Sequence, residues 1–318
     1  MKTNKKVILG TSLLLFTAIL WGSTFVIQKL GSDYVSVFTF NFYRNLISSI
    51  ILFIIYFIIR LSKIKDKEYK AIRPDEKISK KRIIIYIIII GISLFLGQSL
   101  QQAGITLTKS ASKSGFITTT YILFVPVIGI FFHKKVRFFT WICLIIALVG
   151  SFLIAIKDGF TLELGDILTL GCAIAFSFQI VFIGEVSDNA NPILVSAIQL
   201  LIGAILSFIC KVIFEGFDFE SVKNALLAIL YAAIVSGCIA FTLQIVGQKY
   251  APPAIASVTM SAECVFSLLF SLIFLHEKLL VLEWIGCGLI MIAIILIQFN
   301  NQSIKKNIIE GKIEQESV

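Results

Sequence analysis

Residues 244–299 read QIVGQKYAPPAIASVTMSAECVFSLLFSLIFLHEKLLVLEWIGCGLIMIAIILIQF, and residues 101–156 are the same kind of segment written once before. The two align without a gap at a constant offset of 143: Gln101 meets Gln244, Gly104 meets Gly247, Ala111 meets Ala254, Ser114 meets Ser257, His133 meets His276 and Trp141 meets Trp284. Upstream, residues 10–55 match 165–210 at a second constant offset of 155, through Gly10 and Gly165, Ala18 and Ala173, and Asp33 and Asp188. The chain reads as a duplication whose first copy carries the longer loop between its two blocks.

Hydrophobic residues make up 58% of the 318 and charged residues 15%, too apolar for a soluble core with a solvated skin. Runs long enough to cross hydrocarbon, roughly 20 residues each, lie at 7–29, 35–59, 83–105, 113–132, 138–156, 165–184, 193–213, 225–247, 254–275 and 282–299. The fold expected is therefore an all-α polytopic membrane protein of ten transmembrane helices, five per copy. A membrane barrel would show short alternating segments instead of continuous apolar runs. The first run follows Lys2, Lys5 and Lys6 but lacks a small-residue cleavage pattern, so it reads as a retained helix and not a signal peptide. The six cysteines all fall within spans at no metal-ligand spacing, and read as buried small residues.

The formal charge of +9 does not point to nucleic acid, because ten of the 28 Lys and Arg cluster in the single segment 60–82. With the N-terminus inside, twenty basic residues lie on the cytoplasmic side and seven outside, so the positive-inside rule puts both termini in the cytoplasm. An odd number of helices per copy makes the second copy enter the membrane from the opposite side. The motifs at the equivalent loops agree with this: basic HKKVR at 133–137 becomes HEKLL at 276–280, with Glu277 in place of Lys134. The division expected is a first repeat over 1–157, an inverted second repeat over 158–299 and a polar cytoplasmic tail over 300–318. Inverted repeats place related surfaces face to face near the bilayer midplane, the geometry of a transporter that alternates access.

Several segments carry a family likeness: Trp21-Gly22-Ser23-Thr24-Phe25, Arg44 in the second span, QQAGITLTKSASKSGFITTTYILFVPVIGIFF, and above all the segment quoted at the outset. Together they resemble EamA-type carriers of the drug/metabolite transporter superfamily over about 7–299. The resemblance implies ten helices in a five-plus-five inverted arrangement and export of small metabolites, amino acids or drugs across the cell membrane. Two positions depart from the family pattern: Lys134 stands where a glutamate is usual at the end of the fourth helix, and Cys264 where a proline often follows the ninth-helix glutamate.

Polar groups in lipid are costly unless they meet a partner or a cavity, so their faces are informative. On the first span Thr17, Trp21, Thr24 and Gln28 recur at three- and four-residue steps, as do Gln98, Gln101 and Gln102 on the third. The fourth span offers Thr118 and Tyr121, the sixth Gln179, the eighth Ser236 and Gln244, and the ninth Thr259 beside Glu263. From these the candidate substrate-binding set is Trp21, Thr24, Gln28, Gln98, Gln101, Gln102, Thr118, Tyr121, Gln179, Gln244 and Thr259; for any one of them, bridging between helices stands as an equal alternative. Arg44 and Glu263 are the only ionisable residues near the centre of a span. Arg44, sharing its face with Asn41, Asn45 and Ser48, is read as a structural charge holding carbonyls or a neighbouring helix. Glu263 is the candidate for coupling to protons, since a desolvated carboxyl can exchange one; the competing reading pairs it with Arg44. Pro126 should kink the fourth span. Gly91, Gly97, Gly104, Gly150, Gly286 and Gly288 should permit close helix approach.

Other classes lack their chemistry. An intramembrane enzyme needs a metal or nucleophile constellation, and the chain has neither HExxH nor paired intramembrane aspartates. A non-transporting membrane receptor or scaffold stays open as the alternative, whereas a channel filter and a nucleotide-binding loop are not visible in the sequence. No cofactor is called for. The partners expected are a small-molecule substrate, the lipid bilayer and, through Glu263, protons, with the chain acting as monomer or homodimer.

Overall fold

The computed structural model describes residues 2–62, 78–108, 110–132, 136–155, 163–216, 219–275 and 280–297. Most of the basic loop 60–82, the first three residues of HKKVR, residues 276–279 and the tail 300–318 lie outside the described residues. Every regular element among the described residues is helical.

The helices are α1 (Lys2–Gly31), α2 (Val37–Leu61), α3 (Lys80–Thr108), α4 (Ala111–Thr119), α5 (Tyr121–Phe131), α6 (Phe138–Ala155), α7 (Leu164–Val186), α8 (Pro192–Phe214), the short α9 (Phe219–Asn224), and α10 (Leu226–Tyr231). A π-helix, Ala232–Ala240, then leads into α11 (Phe241–Gln248), α12 (Pro253–Met260) and α13 (Ala262–Leu275), and α14 runs over Val281–Ile297. Eight spans are long and apolar enough to cross a membrane, counting α4 with α5, α10 through α11, and α12 with α13 as one each. Two further apolar helices, Phe138–Ile154 and Val281–Ile297, are shorter. At 1.5 Å per residue they reach about 25 Å, close to the lower limit for a span.

Local chemistry explains the boundaries. Asn191 caps α8 by accepting from the amides of Ile193 and Leu194, and Pro192 follows where a missing N–H costs nothing. Pro252 and Pro253 open α12 in the same way. Glu215, at the end of α8, caps a different helix: its carboxylate accepts from Phe38 N at 2.8 Å, Thr39 N at 2.7 Å and Thr39 Oγ1 at 2.9 Å, satisfying the free amides at the start of α2.

The fourth span breaks at Thr120, between α4 and α5. Pro126 withholds the amide that would bond to the carbonyl four residues earlier, while Thr119 Oγ1 and Thr120 Oγ1 donate back to Phe116 O and Ile117 O and compete with the helical pattern. The ninth span breaks at Ser261 without a proline, where Ser261 Oγ donates to Val258 O at 2.7 Å.

One helix crossing occurs twice. Gly104 on α3 lies against Gly165 and Thr169 on α7, and Gly247 on α11 lies against Gly10 and Leu14 on α1. A methyl group on Gly104 would stand 2.9 Å from Gly165 O, and one on Gly247 would stand 3.0 Å from Gly10 O, so both crossings need a bare backbone. The pairs are related by the offsets of 143 and 155. Gly150 on α6 and Gly286 on α14 also face each other's carbonyls, whereas Gly288 meets nothing within 4 Å and provides no close approach. All six cysteines are free, five of them buried.

Candidate functional site: a central polar cavity

A cavity with about 460 Å³ of atom-free space, counting its mouth, opens among the helices. Helix α1 contributes Trp21, Thr24, Phe25 and Gln28; α2 contributes Arg44; α3 contributes Gln98 and Gln101; Thr118 and Tyr121 flank the break between α4 and α5. From the second half come Phe176, Gln179 and Ile180 on α7, Ser236 on the π-helix, Phe241 and Gln244 on α11, and Glu263 in the first turn of α13.

Of the candidate residues, Gln102 and Thr259 stand off the cavity. Gln102 is buried behind it, donating from Nε2 to Gln28 O at 3.2 Å and accepting at Oε1 from Gln28 Nε2 at 3.0 Å. Thr259 turns back on its own helix and donates to Ile255 O at 2.9 Å. Gln102 therefore fits helix bridging, and Thr259 a bond within its own helix, better than direct contact with a solute.

Two amide clusters flank the space. On one side Gln28 Nε2 also reaches Gln101 Oε1 at 3.3 Å, and Gln101 Nε2 donates to Thr118 Oγ1 at 3.3 Å. On the other, Gln244 Nε2 donates to Gln179 Oε1 at 3.3 Å, and Gln179 Nε2 to Gln199 Oε1 at 3.1 Å. Asn45 Nδ2 donates to Gln98 Oε1 at 2.7 Å. These bonds span different helices, so they set the shape of the cavity as well as its polarity. Trp21 packs edge-on to Phe241 at 5.2 Å between ring centroids, forming an aromatic wall.

Among the described residues, four side chains on the lining keep atoms without a hydrogen-bond partner: Arg44 Nε and Nη2, Tyr121 Oη, Gln244 Oε1 and Glu263 Oε1. Arg44 neither holds a backbone carbonyl nor pairs with Glu263; its guanidinium lies over the Phe40 ring, 5.4 Å from the centroid. The backbone beneath it is tied to the π-helix, since the single proton of the Ser48 hydroxyl is shared between Arg44 O at 2.6 Å and Ala233 O at 2.8 Å. Gly237 makes that approach possible, because a side chain there would collide with the Ser48 hydroxyl. A π-helical turn widens the helix and is common at functional sites.

Sequence reasoning passed over Phe25, Phe176, Ile180 and Phe241. The signal that finds three of them is the repeat itself: at offset 155, Trp21 maps to Phe176 and Phe25 to Ile180, and at offset 143 Gln98 maps to Phe241. Thr24 and Gln179, and Gln101 and Gln244, are two more such pairs on the lining.

Comparison with known proteins decides the family. The model of the EamA-like transporter family matches twice, over residues 8–156 and 163–299. The chain belongs to the EamA-like transporter family. It is similar to an uncharacterized transporter of Archaeoglobus fulgidus, 32% identical over 287 residues that cover 89% of this chain and 84% of that protein. Two Bacillus subtilis proteins, the uncharacterized transporters YoaV and YvbV, are 24% and 25% identical, each aligned to 92% of this chain and to 97% and 92% of its own length. One solved crystal structure has the same fold, with a TM-score of 0.71 at 19% identity, covering 92% of this chain and 98% of that one. This EamA-like transporter is thus a multi-pass membrane protein that carries a small-molecule substrate across the bilayer.

Proposed function

We propose that the chain is a secondary active exporter of small organic solutes, such as metabolites, amino acids or drugs, working by alternating access around the central cavity. The observation that carries this reading is the make-up of the lining: five pairs of residues related by the two repeat offsets surround one space, joined there by Arg44 and Glu263. A site shared between two related halves is opened to one side and then the other by rocking one half against its mate. The duplicated glycine crossings, Gly104 on Gly165 and Gly247 on Gly10, support the two repeats 1–157 and 158–299. The mutual approach of Gly150 and Gly286 supports treating the two shorter helices as membrane-crossing partners, for ten spans in all.

In this reading both termini and the loop 60–82 lie in the cytoplasm of a cell-membrane protein, on the strength of the basic residues. Trp21, Thr24, Gln28, Gln98, Gln101, Thr118, Tyr121, Gln179 and Gln244 contact substrate, and Glu263 couples its movement to protons. The breaks at Thr120 and Ser261 serve as hinges on either side of the site, where short helix ends can turn without breaking a continuous ladder. The test is the set of metabolites accumulating outside cells that overexpress the chain, compared with cells carrying Trp21→Ala with Gln244→Ala. An accumulation present only with the parent sequence supports the reading; identical extracellular metabolites in both overturn it.

A further inference from the structure

One end of the bundle is fastened by an ion pair between the two halves, and the equivalent positions at the other end cannot form one. Lys113, on the half-helix α4, reaches Asp166 in the first turn of α7, with Nζ 2.8 Å from Oδ2. The two residues lie in the two segments that the family model matches separately. Each is set by its own turn: Ser110 Oγ accepts from Lys113 N at 3.2 Å, and Asp166 Oδ2 also accepts from Glu163 N at 2.8 Å. Asp166 is 1% exposed, and its Oδ1 has no hydrogen-bond partner among the described residues. A buried carboxylate placed like this depends on its lysine, because removing one member of such a pair leaves the other charge uncompensated. At the offsets of 143 and 155 the same two positions are Ala256 on α12 and Thr11 on α1, both buried. The Thr11 hydroxyl turns back on its own helix, towards Val7 O at 3.0 Å and Ile8 O at 3.1 Å.

We propose that the pair of Lys113 and Asp166 is a one-sided latch, which holds α4 across the outer end of the cavity and biases the chain at rest towards opening to the cytoplasm. The half-helix α4 can turn about the break at Thr120, and it carries Thr118 on the lining, so releasing it from α7 uncovers the site. Its counterpart α12, at the inner end, is bounded by the break at Ser261 and presents Ala256 where α4 presents Lys113. Outward opening therefore costs an ion pair that inward opening does not. Such a difference between two states sets their populations, and an exporter needs it in this direction, sealed outside while it takes up solute inside. The inference rests on the alternating-access reading above and adds which side opens more readily.

The test needs no substrate. Ser236→Cys, on the lining, is placed in an otherwise cysteine-free chain in oriented proteoliposomes, and its rate of reaction with an impermeant maleimide is measured from each face. Asp166→Asn and Lys113→Met should each raise the outer rate relative to the inner by about fivefold, the scale of one ion pair near a surface. Lys113→Arg should leave the ratio as it is, which separates a lost charge from a disturbed fold. With Lys113→Cys and Asp166→Cys added and joined by a short, reducible thiol-to-thiol linker, Ser236→Cys should react from the inner face alone, and cutting the linker should restore the outer reaction, read peptide by peptide by mass spectrometry. An unchanged ratio in either neutral variant, or outer reaction that persists under the linker, would make the pair a static fastener and overturn the proposal while leaving alternation intact. Reaction of Ser236→Cys from a single face without any of these changes would count against alternating access itself and the proposal with it.

Discussion

Arg44 and Glu263 line one cavity from α2 and α13 without pairing with each other. A salt bridge between them would have made both structural and closed the site to charge. Their separation leaves a guanidinium on one element and a carboxyl on another, both available to a moving solute or proton.

The first consequence concerns coupling. Glu263→Gln keeps the size and hydrogen-bonding capacity of the side chain and removes its titration. The variant should still exchange substrate between the two sides of proteoliposomes while losing accumulation driven by an imposed pH gradient. A full response of Glu263→Gln to that gradient would move coupling to another group.

The walls make a second prediction. Gln244→Ala removes the amide that holds Gln179, and Trp21→Ala removes the ring packed on Phe241. Each should lower transport by about tenfold, the scale of one net hydrogen bond or aromatic contact, with the amount of protein in the membrane near normal on immunoblots. Normal transport by both variants would reduce these residues to helix packing.

Glycine contacts give a stability prediction that is independent of substrate. A Cβ on Gly22 would stand 2.5 Å from Phe266 Cβ and 2.8 Å from Ser267 N, whereas one on Gly288 meets nothing. Gly22→Ala should cost about 1–3 kcal/mol, seen as a lower melting temperature in detergent, and Gly288→Ala should leave it unchanged. Equal melting temperatures for the two would contradict the packing of α1 on α13.

Orientation is checked from the surface. Tyr34, in the turn after α1, and Ser62, just past α2, are both exposed. In a background without other cysteines, Tyr34→Cys should react with an impermeant maleimide added to intact cells and Ser62→Cys should not. The reverse pattern would invert the topology.

Much of this architecture was legible because burial in lipid imposes one rule on every span: a long apolar run with its backbone bonds satisfied internally. The polar stripe of Trp21, Thr24 and Gln28 could be read for the same reason, as polar groups in oil need an explanation. Phe25, Phe176 and Phe241 were invisible to that logic, since an aromatic ring in an apolar helix carries no cost that marks it out. The repeat offsets do mark Phe176 and Phe241, as the mates of Trp21 and Gln98. The π-helix at Ala232–Ala240 had no local signal beyond Gly237, the glycine that lets the Ser48 hydroxyl of α2 approach it. Nor could the sequence say that Gln102 and Thr259 face neighbours and not the cavity, because a helical stripe is wider than the cavity it borders.

Alternating access is the central claim, and Ser236 tests it most directly, being a small residue on the cavity wall at the π-helix. Ser236→Cys, as the sole cysteine in oriented proteoliposomes, can be exposed to a membrane-impermeant thiol reagent from either face. The account predicts reaction from both faces, with Tyr34→Cys reacting from one face only. Reaction of Ser236→Cys from a single face, or from neither, would contradict it.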